Sequence, residues 1–145
     1  MYDVITVGSA TLDVFAKTRF SELIKIIDPK GETDLLAFPS GSKILVDELE
    51  FTVGGGGTNT AVALSRLGHK VGFIGKLGTG TNSDFIYKNL KKEKIDLLCA
   101  HGEGHAGYSV ILDTLEHDRT ILAYKGINDE LKSKDIPYRK LKAKW

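Results

Sequence analysis

The chain has 145 residues, 41% hydrophobic and 27% charged, with a formal net charge of +1. That length allows one domain with a real core, and the composition is ordinary for a globular protein. The near-neutral balance gives no support for a nucleic-acid or membrane-surface partner, which calls for a basic excess, and no apolar run approaches the ~20 residues of a membrane helix.

Met1 leads directly into residues 3–8, Asp3-Val4-Ile5-Thr6-Val7-Gly8, a β-branched run that predicts a buried strand. A secretory leader, with its basic and then apolar regions, is not seen there, so a cytoplasmic location is expected. Asp13 follows after a short turn, the place where α/β folds put ligand groups. A carboxylate there can accept from both hydroxyls of a vicinal diol; the alternative is a turn or cap aspartate. Residues 11–17 read as a second extended piece. Residues 20–27, with apolar side chains at helical spacing, read as a short helix. Asp28-Pro29-Lys30-Gly31 is a turn, and residues 43–53 alternate as a half-buried strand.

The run Gly54-Gly55-Gly56-Gly57-Thr58-Asn59 is the most informative stretch. Glycines permit φ > 0 and leave no Cβ between backbone and ligand. The helix predicted after them offers free N–H groups and a positive dipole end. Asn59 can donate and accept at once, which suits a ligand covered in hydroxyls. The plain alternative is a glycine turn with Thr58 or Asn59 as helix cap. Ala61, Leu64 and Leu67 share one helical face, Gly68 is a helix stop, and residues 71–75 read as a buried strand.

Thr81-Asn82-Ser83-Asp84 is rich in cap residues and predicts a helix to about residue 93, with Ile86 and Leu90 on one face. Residues 95–100 are a strand candidate. Residues 108–115 and 119–124 predict a hairpin across Glu116-His117-Asp118. Cys99, His101, Glu103 and His105 make a metal-like cluster, but no second ligand pair stands at structural-zinc spacing, so a loop without metal is expected. The one cysteine leaves no internal disulfide framework. Lys132, Lys134, Lys140, Lys142 and Lys144 read as a solvated face. No Walker-type phosphate loop occurs, nor a dinucleotide Gly-x-Gly-x-x-Gly in strand–helix context. Strands alternating with helices argue for an α/β fold with a parallel sheet.

The stretch from Gly54 to Gly78, with its glycine turn, Asn59, an Ala-rich helix ending Arg66-Leu67-Gly68 and the turn Gly75-Lys76-Leu77-Gly78, resembles the ribokinase-like (PfkB) family of carbohydrate and nucleoside kinases. Val7-Gly8-Ser9-Ala10-Thr11-Leu12-Asp13 looks like that family's first strand and Gly-x-x-x-x-Asp turn. Gly107-Tyr108-Ser109-Val110-Ile111-Leu112 and Asp118-Arg119-Thr120-Ile121 look like two consecutive strands of it, and Gly126-Ile127-Asn128 resembles its Gly-Ala-Asn turn. The resemblance implies a parallel sheet flanked by helices, with a small β-sheet lid built from pieces near 12–17, 43–53 and 108–124. It implies transfer of the ATP γ-phosphoryl to a sugar or nucleoside hydroxyl with Mg²⁺, and substrate contacts at Asp13, Gly55, Gly56, Asn59, Lys76 and Tyr108. Position 56 is glycine where many ribokinases carry lysine. For Lys76 the alternative is a solvated loop lysine.

Family members are longer, and the catalytic base and nucleotide site are expected beyond residue 145. On that reading residues 1–145 are the N-terminal, substrate-binding portion of the fold, incomplete in this chain. Its open sheet is expected to expose Val4, Ile5, Phe73 and Ile74, and the lid strands to pack between subunits of a homodimer. The reading from another class is a non-catalytic module that binds a polyol or mediates oligomerisation.

Overall fold

The computed structural model describes residues 1–113 and 119–145. The turn expected at Glu116-His117-Asp118 lies outside the described residues. Contacts divide the chain into two units: residues 1–13, 51–109 and 123–145 form the first, and residues 14–50 and 110–122 the second.

In the first unit, β1 (Val4–Val7) pairs in parallel with β6 (Val71–Ile74), Val4 opposite Val71 and Val7 opposite Ile74. β6 pairs in parallel with β8 (Asp96–Leu97), giving the order β1-β6-β8. All four residues of β6 are buried, the continuous apolar run that a central parallel strand requires. α1 (Gly56–Arg66) packs on β1 and β6 with Gly57, Thr58 and Ala61 inward. The contact is close because residue 57 is glycine: a Cβ there would stand 2.7 Å from the Phe73 ring and 2.8 Å from the Gly8 backbone. α2 (Thr81–Lys92) buries Ile86 and Leu90, the face the sequence predicts. With Phe73, Leu77 and Ile95 they make the core of this unit. Among the described residues no helix is long and apolar enough to cross a membrane.

Three expectations change here. Leu67 is not on the buried face; the helix ends at Arg66 and Leu67 caps it, 75% exposed. Phe73 and Ile74 are 0% and 1% exposed, because β6 is the central strand under α1 and not an edge. The outer edge of β1 is also occupied: Lys142 and Trp145 accept from the Tyr2 and Ile5 amides, and the Lys144 and Trp145 amides donate back to Tyr2 and Asp3. The strand expected at 95–100 splits into β8 and β9 (Ala100–His101), and β9 pairs with β7 (Lys76–Leu77).

The second unit contains the clearest difference from the sequence reading. Residues predicted as a short helix form β3 (Glu22–Asp28), antiparallel to β4 (Gly31–Ala37), with Glu22 opposite Ala37. The adjacent pairs Leu23-Ile24 and Ile26-Ile27 fit helix spacing, but no core lies beside them and both strands are largely exposed. The turn decides the outcome: Asp28 Oδ1 accepts the Lys30 amide at 2.7 Å, and Gly31 turns the chain at φ +139°. Residues 43–47 are not strand either. Leu45 accepts from the Thr18 hydroxyl, and Asp47 is held by Arg19, so the strand β5 begins only at Glu48 (Glu48–Gly54). Strands β2 (Thr11–Lys17), β5, β10 (Gly107–Asp113) and β11 (Arg119–Tyr124) form one sheet in the order β11-β10-β2-β5.

Candidate functional site

The site is assembled where β1 turns into β2. Ser9 anchors the glycine turn: its Oγ accepts the Gly56 amide at 3.2 Å and its carbonyl accepts the Thr58 amide at 3.4 Å. Gly55 sits at φ +104°, and a Cβ there would strike the Ser9 carbonyl, so glycine is required on two counts. Neither Thr58 nor Asn59 caps the helix. α1 starts at Gly56, and the Thr58 hydroxyl donates backwards to the Gly54 carbonyl at 2.5 Å.

Asp13 is half-buried. Its Oδ1 accepts the Thr11 hydroxyl at 2.8 Å, and its carboxyl group lies directly over Gly54. One pair of oxygens is thereby presented beside a backbone turn without side chains. A carboxylate has about four acceptor sites, so the Thr11 bond leaves capacity for further donors.

Asn128 completes this cluster, and sequence reasoning gave it no role beyond a family-like turn. It lies on the 3₁₀ turn Gly126–Glu130. Its Oδ1 accepts the Ala10 amide at 3.0 Å, and its Nδ2 donates to the Ala10 carbonyl at 3.0 Å and the Lys125 carbonyl at 3.1 Å. Gly107 leaves room for it: a Cβ there would overlap Nδ2 and stand 2.8 Å from the Thr11 methyl. Tyr108, half-buried, follows Gly107 on β10.

Asn59 goes elsewhere. It is exposed and lines an open groove of about 490 Å³ with Phe51, Val53, Val62, Arg66 and Glu93, whose described walls do not include Asp13. The early start of α1 explains this. Thr58 and Ala61 take the sheet-facing side, so Asn59, Val62, Ala63 and Arg66 fall on the other stripe of the helix. At the groove, Arg66 makes a two-point ion pair with Glu93 at 2.5 and 2.9 Å, which holds the Glu93 carboxyl below its ordinary range.

Lys76 is neither solvated nor free to reach outwards. Its ammonium donates to the Glu130 carbonyl at 3.1 Å and to Asp135 at 3.2 Å, with both side chains largely buried. The Lys132 amide and then Lys76 hold the Asp135 carboxyl below the usual carboxylate range.

The Cys99, His101, Glu103 and His105 segment is dispersed. The three polar side chains are exposed, while Cys99 is drawn inward, its thiol 3.8 Å from the Phe73 carbonyl and pushed up to about 11 by burial. Among the described residues no three His, Cys, Asp or Glu side chains gather where a metal could be held.

The family described as pfkB family carbohydrate kinase matches residues 21–143. The chain is 30% identical over 128 residues to an Escherichia coli K12 protein named an uncharacterized sugar kinase, YegV, covering 88% of this chain and 35% of that protein. It is 32% identical over 99 residues to the ribokinase of Staphylococcus aureus COL, covering 66% of this chain and 33% of that enzyme. The fold is that of the Thermotoga maritima ribokinase crystal structure, at a TM-score of 0.76 and 22% identity over 97% of this chain and 42% of that one. The chain thus spans about a third of the length of these two sequence relatives.

Proposed function

The chain belongs to the pfkB family of carbohydrate kinases, and on that premise we propose that it supplies the sugar- or nucleoside-binding part of a kinase that moves the ATP γ-phosphoryl to a substrate hydroxyl. One observation carries the reading: Asp13 is fixed by Thr11 directly over the first glycine of the turn. Two neighbouring hydroxyls donate to its carboxylate, while the turn at Gly55 and Gly56 lets the ring approach the backbone. Tyr108 adds a further contact on this reading, while Asn59 faces the separate groove with Arg66 and Glu93. Lys76 would join them only by leaving Asp135.

The kinase reaction is chiefly positioning and electrostatic stabilisation, and this chain's share is the positioning. Among the described residues Ser9 already occupies two of the first amides of α1, and no three His, Cys, Asp or Glu side chains gather where a metal could be held. A cytoplasmic location and a dimer joined through the lid strands belong to the same proposal.

The test is an ADP-release assay of the complete gene product against a panel of sugars and nucleosides, with and without Asp13→Ala. Each donor left unpaired costs about 1–3 kcal/mol, so kcat/KM for the best substrate should fall at least tenfold. A fall below about threefold would reduce Asp13 to a turn residue.

A further inference from the structure

We propose that Asn128 is a positioning residue: its carboxamide clamps the Ala10 peptide and thereby fixes the stretch that presents Asp13. The proposal rests on the sugar-site reading above. It begins from a complementarity of groups. Ala10 is 1% exposed, and its amide and carbonyl are both engaged by one side chain, each at 3.0 Å. A carboxamide alone among side chains offers an acceptor and a donor side by side in this way. Aspartate keeps the acceptor and loses the donor; alanine loses both.

The surroundings are built to hold that amide. Ile127, 2% exposed, anchors the turn, and its backbone amide donates to the His105 carbonyl at 3.0 Å. Gly126 takes φ +55°, a conformation suited to glycine, and a Cβ there would strike the His105 carbonyl. Gly107 leaves open the space that Nδ2 fills. Asn128 also fixes its own turn by donating to Lys125 at 3.1 Å. From Ala10 the chain passes directly to Thr11, whose hydroxyl orients Asp13. Asn128 therefore acts on the carboxylate through the backbone, without touching the substrate.

Two measurements test this. The first is amide exchange by NMR on residues 1–145. Asn128→Ala should lower Ala10 protection at least tenfold while Phe73 and Leu90 keep theirs, which shows that the fold is intact. Gly107→Ala, which pushes on the same amide from the other side, should do the same. The second is the pH profile of kcat/KM in the complete gene product. Asn128→Asp should lose at least tenfold at pH 8 and recover towards wild type as the pH falls to about 5, because a carboxyl beside two carbonyl oxygens protonates early and regains the donor. Asn128→Ala should lose as much without recovery. Unchanged Ala10 protection overturns the clamp. Lost protection with kcat/KM within threefold of wild type, or no recovery in Asn128→Asp, overturns the positioning role. A wild-type product that phosphorylates nothing in the panel counts instead against the kinase reading, and Ala10 exchange still decides the clamp.

Discussion

The Asp13 carboxyl group fills the space that a side chain at position 54 would need: a methyl group built on Gly54 overlaps Oδ2 and crowds the rest of the carboxylate. Gly54 is not among the glycines with positive φ, so its backbone does not itself demand glycine. The constraint is the carboxylate. Gly54→Ala should therefore destabilise residues 1–145 by about 1–3 kcal/mol, the cost of overpacking. In an Asp13→Ala background the same change should cost less than about 0.5 kcal/mol. Urea denaturation of the four proteins closes the cycle, and additive effects would show that the two residues do not compete for one space.

Residues 1–145 alone should release no ADP with any sugar or nucleoside, since no described residue is matched to a base or a phosphate cradle. A coupled assay decides it, and turnover clearly above blank would place the missing chemistry within this chain.

Lys76 and Asp135 should matter to stability in a pH-dependent way. Asp135 is held below its ordinary pKa in the folded state by the Lys132 amide and by Lys76. A depressed carboxylate stabilises the fold above its unfolded pKa of about 3.9, and that contribution is lost as the pH falls through the folded value. Asp135→Asn should lower Tm at pH 7, and the gap to wild type should be smaller at pH 3. A gap of the same size at both pH values would show that charge is not the source.

Cys99 should be a slow thiol. Burial pushes it up to about 11, so at pH 8 the reactive thiolate is scarce. Ellman's reagent should modify it at least a hundredfold more slowly in the native protein than in 6 M guanidinium. Comparable rates would mean that the Cys99 segment opens freely.

Self-association is expected, although not through the open sheet edge that the sequence suggests. The β1 edge is occupied and Phe73 and Ile74 are buried. Apolar side chains are exposed on the β3–β4 hairpin and β11: Leu23, Ile24, Ile27, Leu35, Ile121 and Leu122 are all at least 43% exposed. Two-stranded hairpins are marginal in water unless something packs on them. Light scattering across a dilution series should give at least a dimer mass. A clean monomer at high micromolar concentration would remove the lid-mediated dimer from the proposal.

The sequence was legible where local pattern and tertiary demand agree. β6 and the Ile86–Leu90 face of α2 follow from an apolar run and helical spacing that their burial then satisfies; β1 forms where its β-branched run predicts, but only Thr6 of it is buried and Val7 is exposed. It misled at residues 22–28, where the same apolar spacing serves a strand once the turn at Asp28 returns the chain onto β4. Asp13 was singled out by its position after a strand and a short turn, but its carboxylate's place over Gly54 was not readable from the sequence. The Asn128 clamp was not readable, because its partner is 118 positions away and the Gly126-Ile127-Asn128 turn does not point to it. Lys76 was expected to contact substrate, with a solvated loop lysine as the alternative; its partners at Glu130 and Asp135, 54 and 59 positions away, lie beyond any local pattern.

The pairing of β1 has a consequence for the newborn chain. Strand β1 has no sequence-local partner as it is made: Val4 waits for Val71, and the Tyr2 amide waits for Lys142. At synthesis speeds of about 5–20 residues per second, Val4 and Ile5 remain unpaired for on the order of ten seconds before β6 emerges. Such late closure puts the slow, non-local step of folding at the N-terminus. Chaperone capture of the nascent chain should therefore centre on β1 and end once β6 has cleared the exit tunnel.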